Sequence, residues 1–165
     1  MVVSGQFIVR SVGIVRTEVS DDEIRERFGE LQSTIEVFPE FKEGLDGLDG
    51  FSHIFVLTYF DRLRPEQIGP LKVKPRRLLK LGLSIDELPL VGVFAIDSPT
   101  RPNPIGLSLV RLLRIEDRRL IVVGLDCFDG APVLDIKPFR SDYSTDKYEL
   151  AEWYSSLRAR VGRDV

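Results

Sequence analysis

Three short stretches of this chain hold side chains able to do chemistry at useful spacings. In Leu125–Gly130, reading LDCFDG, Asp126 and Asp129 bracket a turn that ends on a glycine. Their carboxylates could accept hydrogen bonds from ribose hydroxyls or an amino group, or take a proton from a nitrogen. In Ser98–Pro104, reading SPTRPNP, prolines at 99, 102 and 104 preclude regular structure, and Arg101–Pro104 is a stiff loop that carries Asn103. Proline presets the backbone, and rigid loops at strand ends are where groups meant for small ligands are placed. Asn103 offers an amide to an adenine edge or to the loop's own backbone. Gly106, just beyond, allows close approach of a ligand or a neighbouring chain. The third stretch is basic. Lys72, Lys74, Arg76, Arg77 and Lys80 put five cations within nine positions, which suits phosphate contact or a solvated face.

The bulk composition narrows the classes. With 165 residues, 43% hydrophobic, the chain suits one domain, 1–165, with a core of its own. The net charge of −3 gives no global signal for nucleic acid, so RNA contact would need a local patch. One cysteine, Cys127, and one histidine, His53, leave no disulfide within the chain and no structural zinc site; no metal is expected. The start MVVSGQFIVRSVG has no long apolar stretch behind a basic head, so a secretory signal is not expected. The longest apolar run, Ile54–Leu57, is too short to span a membrane, so no membrane partner is expected and the location is read as cytoplasmic.

The elements that would position these residues are mainly strands. Phe7–Arg16, Ile35–Phe38, Ser52–Phe60, Val91–Ile96, Leu107–Ile115, Leu120–Leu125 and Val133–Ile136 are rich in β-branched and aromatic residues. Ser52–Phe60 is almost continuously apolar, which predicts cover on both faces. Ser20–Glu23 has capping-box spacing and predicts a short helix to about Phe28. Arg62–Leu90, broken by Pro65, Pro70, Pro75 and Pro89, reads as an irregular excursion with one short helix near Arg76–Leu81. Gly44–Gly50, GLDGLDG, is a loop; a dinucleotide fingerprint is rejected because the spacing is wrong and it feeds a strand. A final helix is expected over about 146–161, capped by Asp146, with Leu150, Trp153, Tyr154, Leu157 and Val161 on one face. The fold class is mostly β: a single antiparallel, Greek-key-like barrel with short peripheral helices and a C-terminal helix.

Two strings carry a family likeness. Val91–Val110 reads VGVFAIDSPTRPNPIGLSLV, with the core RPNPIGLS at Arg101–Ser108, and Pro132–Pro138 reads PVLDIKP. With Leu45–Ile54, LDGLDGFSHI, they resemble in order the hallmark segments of the TsaA-like (TrmO) family, over about Val12 to Phe139. The resemblance implies a barrel that binds S-adenosyl-L-methionine. It implies a methyltransferase acting on the exocyclic nitrogen of a threonylcarbamoyl-modified adenosine beside the tRNA anticodon. It also implies a homodimer with ligand near the subunit boundary. The alternative from another class is a non-catalytic S-adenosylmethionine- or nucleoside-binding sensor or accessory protein.

Position by position, the resemblance implies cofactor contacts at Gln32, His53, Ile54, Asp97, Ser98, Arg101, Asn103, Leu107, and the run Asp126, Cys127, Phe128, Asp129, Gly130. Asp126 and Asp129 are the candidates for a proton acceptor. Lys72, Lys74, Arg76, Arg77 and Lys80 are the candidates for RNA. His53 alone reads equally as a ligand contact or as a core histidine bonded to a carbonyl. Asp135 and Lys137 read as a structural pair inside the barrel. Two departures stand out. Asp97 occupies a position where the family usually has arginine, a charge reversal that removes a fork for a carboxylate. Ala131 stands where threonine is usual. Longer bacterial members carry a further C-terminal domain, whereas here only the helix after Asp146 is expected.

Overall fold

A computed structural model of the chain describes residues 5, 7–27 and 29–161. Two compact units are present: Met1–Arg62 with Ile105–Arg140, and Leu63–Pro104 with Ser141–Val165.

The first unit is a closed, antiparallel six-stranded barrel. Its strands are β1 (Gly13–Arg16), β2 (Gln32–Val37), β3 (His53–Tyr59), β6 (Ile105–Glu116), β7 (Arg119–Val123) and β8 (Pro132–Pro138). They pair in the order β1-β2-β7-β6-β3-β8, and β8 closes on β1. Alternation places Ile54, Val56 and Thr58 of β3 inside, opposite the interior residues Val110 and Gly106 of β6. Val15, Ile35, Val37, Leu112, Leu120, Val122 and Val133 complete the interior. The outward residues of β3, Phe55 and Leu57, are half-buried, so the continuous apolar run reflects one buried face and one partly covered face. β2 and β3 are joined through a 3-10 helix, Pro39–Leu45, and Phe41, Leu45 and Leu48 pack against that end of the core.

β1 is shorter than its sequence suggests. Phe7, Ile8 and Val9 are largely exposed: β2 ends at Val37 opposite Gly13, and the pairing with β8 stops at Gly13–Val133 although β8 itself runs on to Pro138. Helix α1, Asp21–Arg27, begins as expected, with the Ser20 hydroxyl accepting from the Glu23 amide at 3.3 Å. The Glu23 carboxylate turns to Arg27 instead of reaching back to the cap. The expected limit at Phe28 lies outside the described residues.

The second unit holds β4 (Lys72–Val73) paired with β5 (Val91–Gly92), and several 3-10 turns including Arg76–Leu81. β5 is two residues long where a strand to Ile96 was expected. From Val93 the chain winds into a 3-10 turn, whose carbonyls at Val93 and Ile96 are bound by Arg101 instead of a strand. Helix α2, Glu152–Val161, starts six residues later than expected, counting from 146 to 152. The Thr145 hydroxyl bonds the Lys147 amide and carbonyl, which satisfies that backbone locally and removes Asp146 from a capping role. Leu157 and Trp153 of α2 pack with Leu78 and Leu88 as a small core.

Candidate ligand loop at one end of the barrel

The chain connections sort the two ends of the barrel by character. β1 leads to β2 through α1, β7 leads to β8 through 124–131, and β3 ends at Tyr59, all at one end. The opposite end carries the 3-10 helix Pro39–Leu45 and the tight Asp117–Arg118 turn. The loop 124–131 therefore lies beside the start of β2 and the segment just after β3. Gln32 pairs with Val123 where β7 enters the loop, and Gly124 donates to the Leu31 carbonyl at 3.2 Å.

The loop is tied down from three directions. The Asp129 carboxylate accepts from the Thr17 amide at 3.1 Å, and Gly130 donates to the Val15 carbonyl at 2.8 Å. Gly130 has φ +82°, a region that a glycine occupies without steric cost. Arg62 supplies the third tie. Its guanidinium donates to the Asp129 carbonyl at 2.6 Å and to the Asp21 carboxylate of α1 at 2.8 Å. It also lies 5.0 Å from the centroid of the Phe128 ring, while Arg25 lies 4.9 Å from the same centroid. Two cations on one aromatic face region are held there by the acids around them.

The candidates fall in different places. Gln32, Asp126, Phe128, Asp129 and Gly130 share this end of the barrel, with Gln32, Asp126 and Asp129 exposed. Cys127 is at the same loop, but its side chain belongs to the core and donates to the Thr58 hydroxyl at 3.4 Å. Burial pushes its thiol up to about 11, so it stays protonated and is no nucleophile at neutral pH. His53 stands at the far end of β3, about 20 Å from Tyr59 at the usual strand rise. It is half-buried, its Nδ1 meets the Ser52 hydroxyl at 3.0 Å, and Phe139 donates to its backbone carbonyl. Ile54 is wholly buried in the barrel, and Leu107 points outward from β6 with 67% of its surface exposed.

In the second unit, Ser98 is engaged in a local turn with Thr100, whereas Asp97 and Asn103 are exposed. Arg101 donates to the Val93 carbonyl at 3.1 Å and to the Ile96 carbonyl at 2.6 Å; its buried Nε has no partner. Of the basic residues, Lys74 donates to the Ile85 carbonyl and so braces the fold, while Lys72, Arg76, Arg77 and Lys80 are exposed.

Two sequence expectations are corrected. Asp135 and Lys137 do pair, at 2.7 Å, but on the outside of the barrel, because they sit opposite Leu57 and Phe55 on the outward face of β3. Gly106 is small for internal reasons. A Cβ there would stand 2.6 Å from Thr58 Oγ1 and 2.9 Å from Phe60 Cζ, so the close approach is to β3. Arg62 was missed; the available signal was a cation directly after the strongest strand.

A small closed barrel whose end carries a charged, aromatic-centred loop defines the class of protein. The chain belongs to the family of the tRNA-methyltransferase O N-terminal domain, whose model matches residues 25–145. It is similar to a probable S-adenosyl-L-methionine-binding protein of Methanothermobacter thermautotrophicus, with 43% identity over 81% of this chain and 90% of that one. It is 38% identical to a mouse tRNA (adenine(37)-N6)-methyltransferase, over 78% of this chain and 28% of the mouse protein. A crystal structure of TrmO matches with a TM-score of 0.65 and 32% identity, covering 88% of this chain and 64% of that one. The chain thus spans under two thirds of the solved TrmO chain and about a quarter of the mouse enzyme. Among the described residues, no helix is long and apolar enough to cross a membrane.

Proposed function

We propose that this chain is a methyltransferase that moves a methyl group to the exocyclic nitrogen of a modified adenosine beside the tRNA anticodon. The cofactor is S-adenosyl-L-methionine, as in the relatives named for binding it. The observation that carries the reading is the loop 124–131, held rigid by Arg62 with carboxylates and guanidiniums around Phe128. That donor set fits the group. Arg25 and Arg62 suit its carboxylate, Asp126 suits its ammonium or ribose hydroxyls, and the Phe128 ring offers an apolar face. The bound sulfonium supplies an already activated methyl group, so alignment carries most of the rate.

The chain's own residues do the rest. Arg62 fixes the loop backbone through the Asp129 carbonyl. Asp129 spends one carboxylate oxygen on the Thr17 amide and acts in holding the loop. In this reading Asp126, exposed on the same loop, accepts the proton leaving the exocyclic nitrogen. Lys72, Arg76, Arg77 and Lys80 are offered to RNA phosphates.

A homodimer belongs to the same reading. Ile105, Leu107 and Leu109 of β6 are 38%, 67% and 47% exposed in a row on the outward face, opposite Tyr59, Leu57 and Phe55 of β3. A second copy would cover that strip. The sensor reading is favoured by Asp97, an exposed carboxylate where the resemblance calls for arginine.

Calorimetric titration with S-adenosylmethionine and S-adenosylhomocysteine, followed by methyl transfer to tRNA bearing the modified adenosine, tests the proposal. Micromolar binding, about −8 kcal/mol, with transfer supports it. Binding without transfer supports the sensor reading, and no binding by the folded protein overturns both.

A further inference from the structure

Phe94 is the most exposed aromatic side chain in the second unit, at 81%. It is on a clamped turn. Arg101, half-buried, holds the carbonyls on both sides of Phe94, those of Val93 and Ile96, through one guanidinium nitrogen. Val93 itself is buried and its amide donates to the Leu71 carbonyl at 3.0 Å. The turn is thus anchored at Val93 and braced at Ile96, with the ring displayed between them.

The strand just before the ring has an open position, and its partner strand carries a lysine. Gly92 pairs with Lys72 in the β4–β5 ladder, so an ammonium stands across from the residue two places before Phe94. A Cβ built on Gly92 would meet nothing within 4 Å. Its backbone, at φ −62° and ψ 141°, is one that any residue adopts, so glycine is not needed there for conformation. What glycine leaves is space. Arg76, Arg77 and Lys80 follow on the nearby 3-10 helix and add positive charge on the same unit.

A flat aromatic face, open space two residues before it and a lysine on the paired strand fit an unpaired nucleobase with its phosphate. We propose that Phe94 is a stacking platform for one unpaired base of the RNA substrate, with Gly92 providing the slot and Lys72 contacting the adjoining phosphate. The inference rests on the tRNA reading above. It assigns Arg101 a positioning role, holding the turn that presents the ring.

The test uses the full chain and a short RNA stem-loop carrying 2-aminopurine at an unpaired loop position. Wild type binds the hairpin with a steep salt dependence and alters the 2-aminopurine fluorescence. Phe94→Ala weakens binding about tenfold and abolishes the fluorescence change, while the salt slope stays the same because no phosphate contact is lost. Phe94→Trp keeps both signals, and Phe94→Leu, apolar but without a π-face, loses the fluorescence change. Gly92→Val fills the slot and behaves like Phe94→Ala with the fold intact. Lys72→Ala lowers the salt slope by about one unit. Hairpin binding by wild type with unaltered binding by Phe94→Ala overturns the platform and leaves the tRNA reading standing. No hairpin binding by wild type overturns both. A fall in molecular mass of Phe94→Ala in solution overturns the platform in favour of a contact with a second copy of the chain.

Discussion

Replacing Arg62 by alanine removes three ties at once, and the structure sets the size of the loss. The ion pair to Asp21 joins side chains 47% and 42% exposed, so it contributes at most about 1 kcal/mol. The contact with the Phe128 ring, at 5.0 Å and partly solvated, adds about 0.5–1 kcal/mol. The hydrogen bond to the Asp129 carbonyl is charge-assisted but exposed, and about 1 kcal/mol is a fair share. Together these give about 2–3 kcal/mol, and nearly all of it acts on the order of 124–131 and its distance from α1. The barrel core is untouched, so the melting temperature should fall by only a few degrees. The cofactor must then order the loop on binding. S-adenosylmethionine affinity should drop about 10- to 100-fold, since each tenfold corresponds to about 1.4 kcal/mol. Arg62→Lys keeps the charge but loses the two-way fork, and should fall between the two. Asp21→Asn, which removes only the ion pair, should cost about threefold or less. Calorimetry at fixed pH and salt measures all four proteins. An Arg62→Ala protein that binds within about twofold of wild type would refute the claim that this residue orders the loop.

Three other outcomes follow from the packing. Gly106→Ala forces a Cβ against Thr58 and Phe60, an overpacking cost of about 1–3 kcal/mol, and calorimetric melting should show a loss of about 3–10 °C. The Cys127 thiol, raised in the folded barrel from 9.0 to about 11, is ionised more easily when unfolded. Its contribution is complete below pH 9 and is lost as pH rises to about 11, so urea midpoints should decline over that window more steeply for wild type than for Cys127→Ala. Leu109→Asp places a charge in the outward apolar strip of β6 and should convert a dimer to a monomer by light scattering with little change in melting; an unchanged mass would remove that face as the subunit contact.

The barrel was legible in the sequence where strand residues alternate or where both neighbours are long. The place of β3 in Ser52–Phe60 was legible, though not which of its faces is inner, and β6, expected over Leu107–Ile115, runs from Ile105 to Glu116. The 3-10 turn at Arg76–Leu81 and the irregular Ser98–Pro104 were legible because proline and charge spacing are local signals. What could not be read was anything decided across the barrel. Phe7–Val12 has strand composition, yet β2 ends opposite Gly13 and the ladder with β8 stops there, so the segment pairs with neither. Asp135 and Lys137 fall outside because the β3–β8 register shifts between Leu57 and Thr58, a bulge that no local rule announces. Arg62 meets Asp21 and Asp129 across separations of 41 and 67 residues, and its place at the head of a proline-broken stretch disguises it as loop charge.

These failures share a cause that bears on function. A barrel end is assembled from connections distant in sequence, so the groups that meet a ligand are brought together by strand register. The acids and cations of the loop end show the consequence. Asp21 and Asp129 are each engaged by Arg62, while Thr17 holds the second carboxylate by its backbone amide. The two aspartates that looked equivalent in LDCFDG therefore differ in setting: the Asp129 carboxylate accepts from the Thr17 amide, and Asp126 is exposed on the same loop. One supports the loop and the other faces solvent at its rim. The same logic bears on the charge reversal at Asp97. Under the function proposed above, the cations left for a cofactor carboxylate at the barrel end are Arg25 and Arg62 around Phe128, each already paired with an acid of α1, so an arginine at 97 is not the only cation that the chain can offer it.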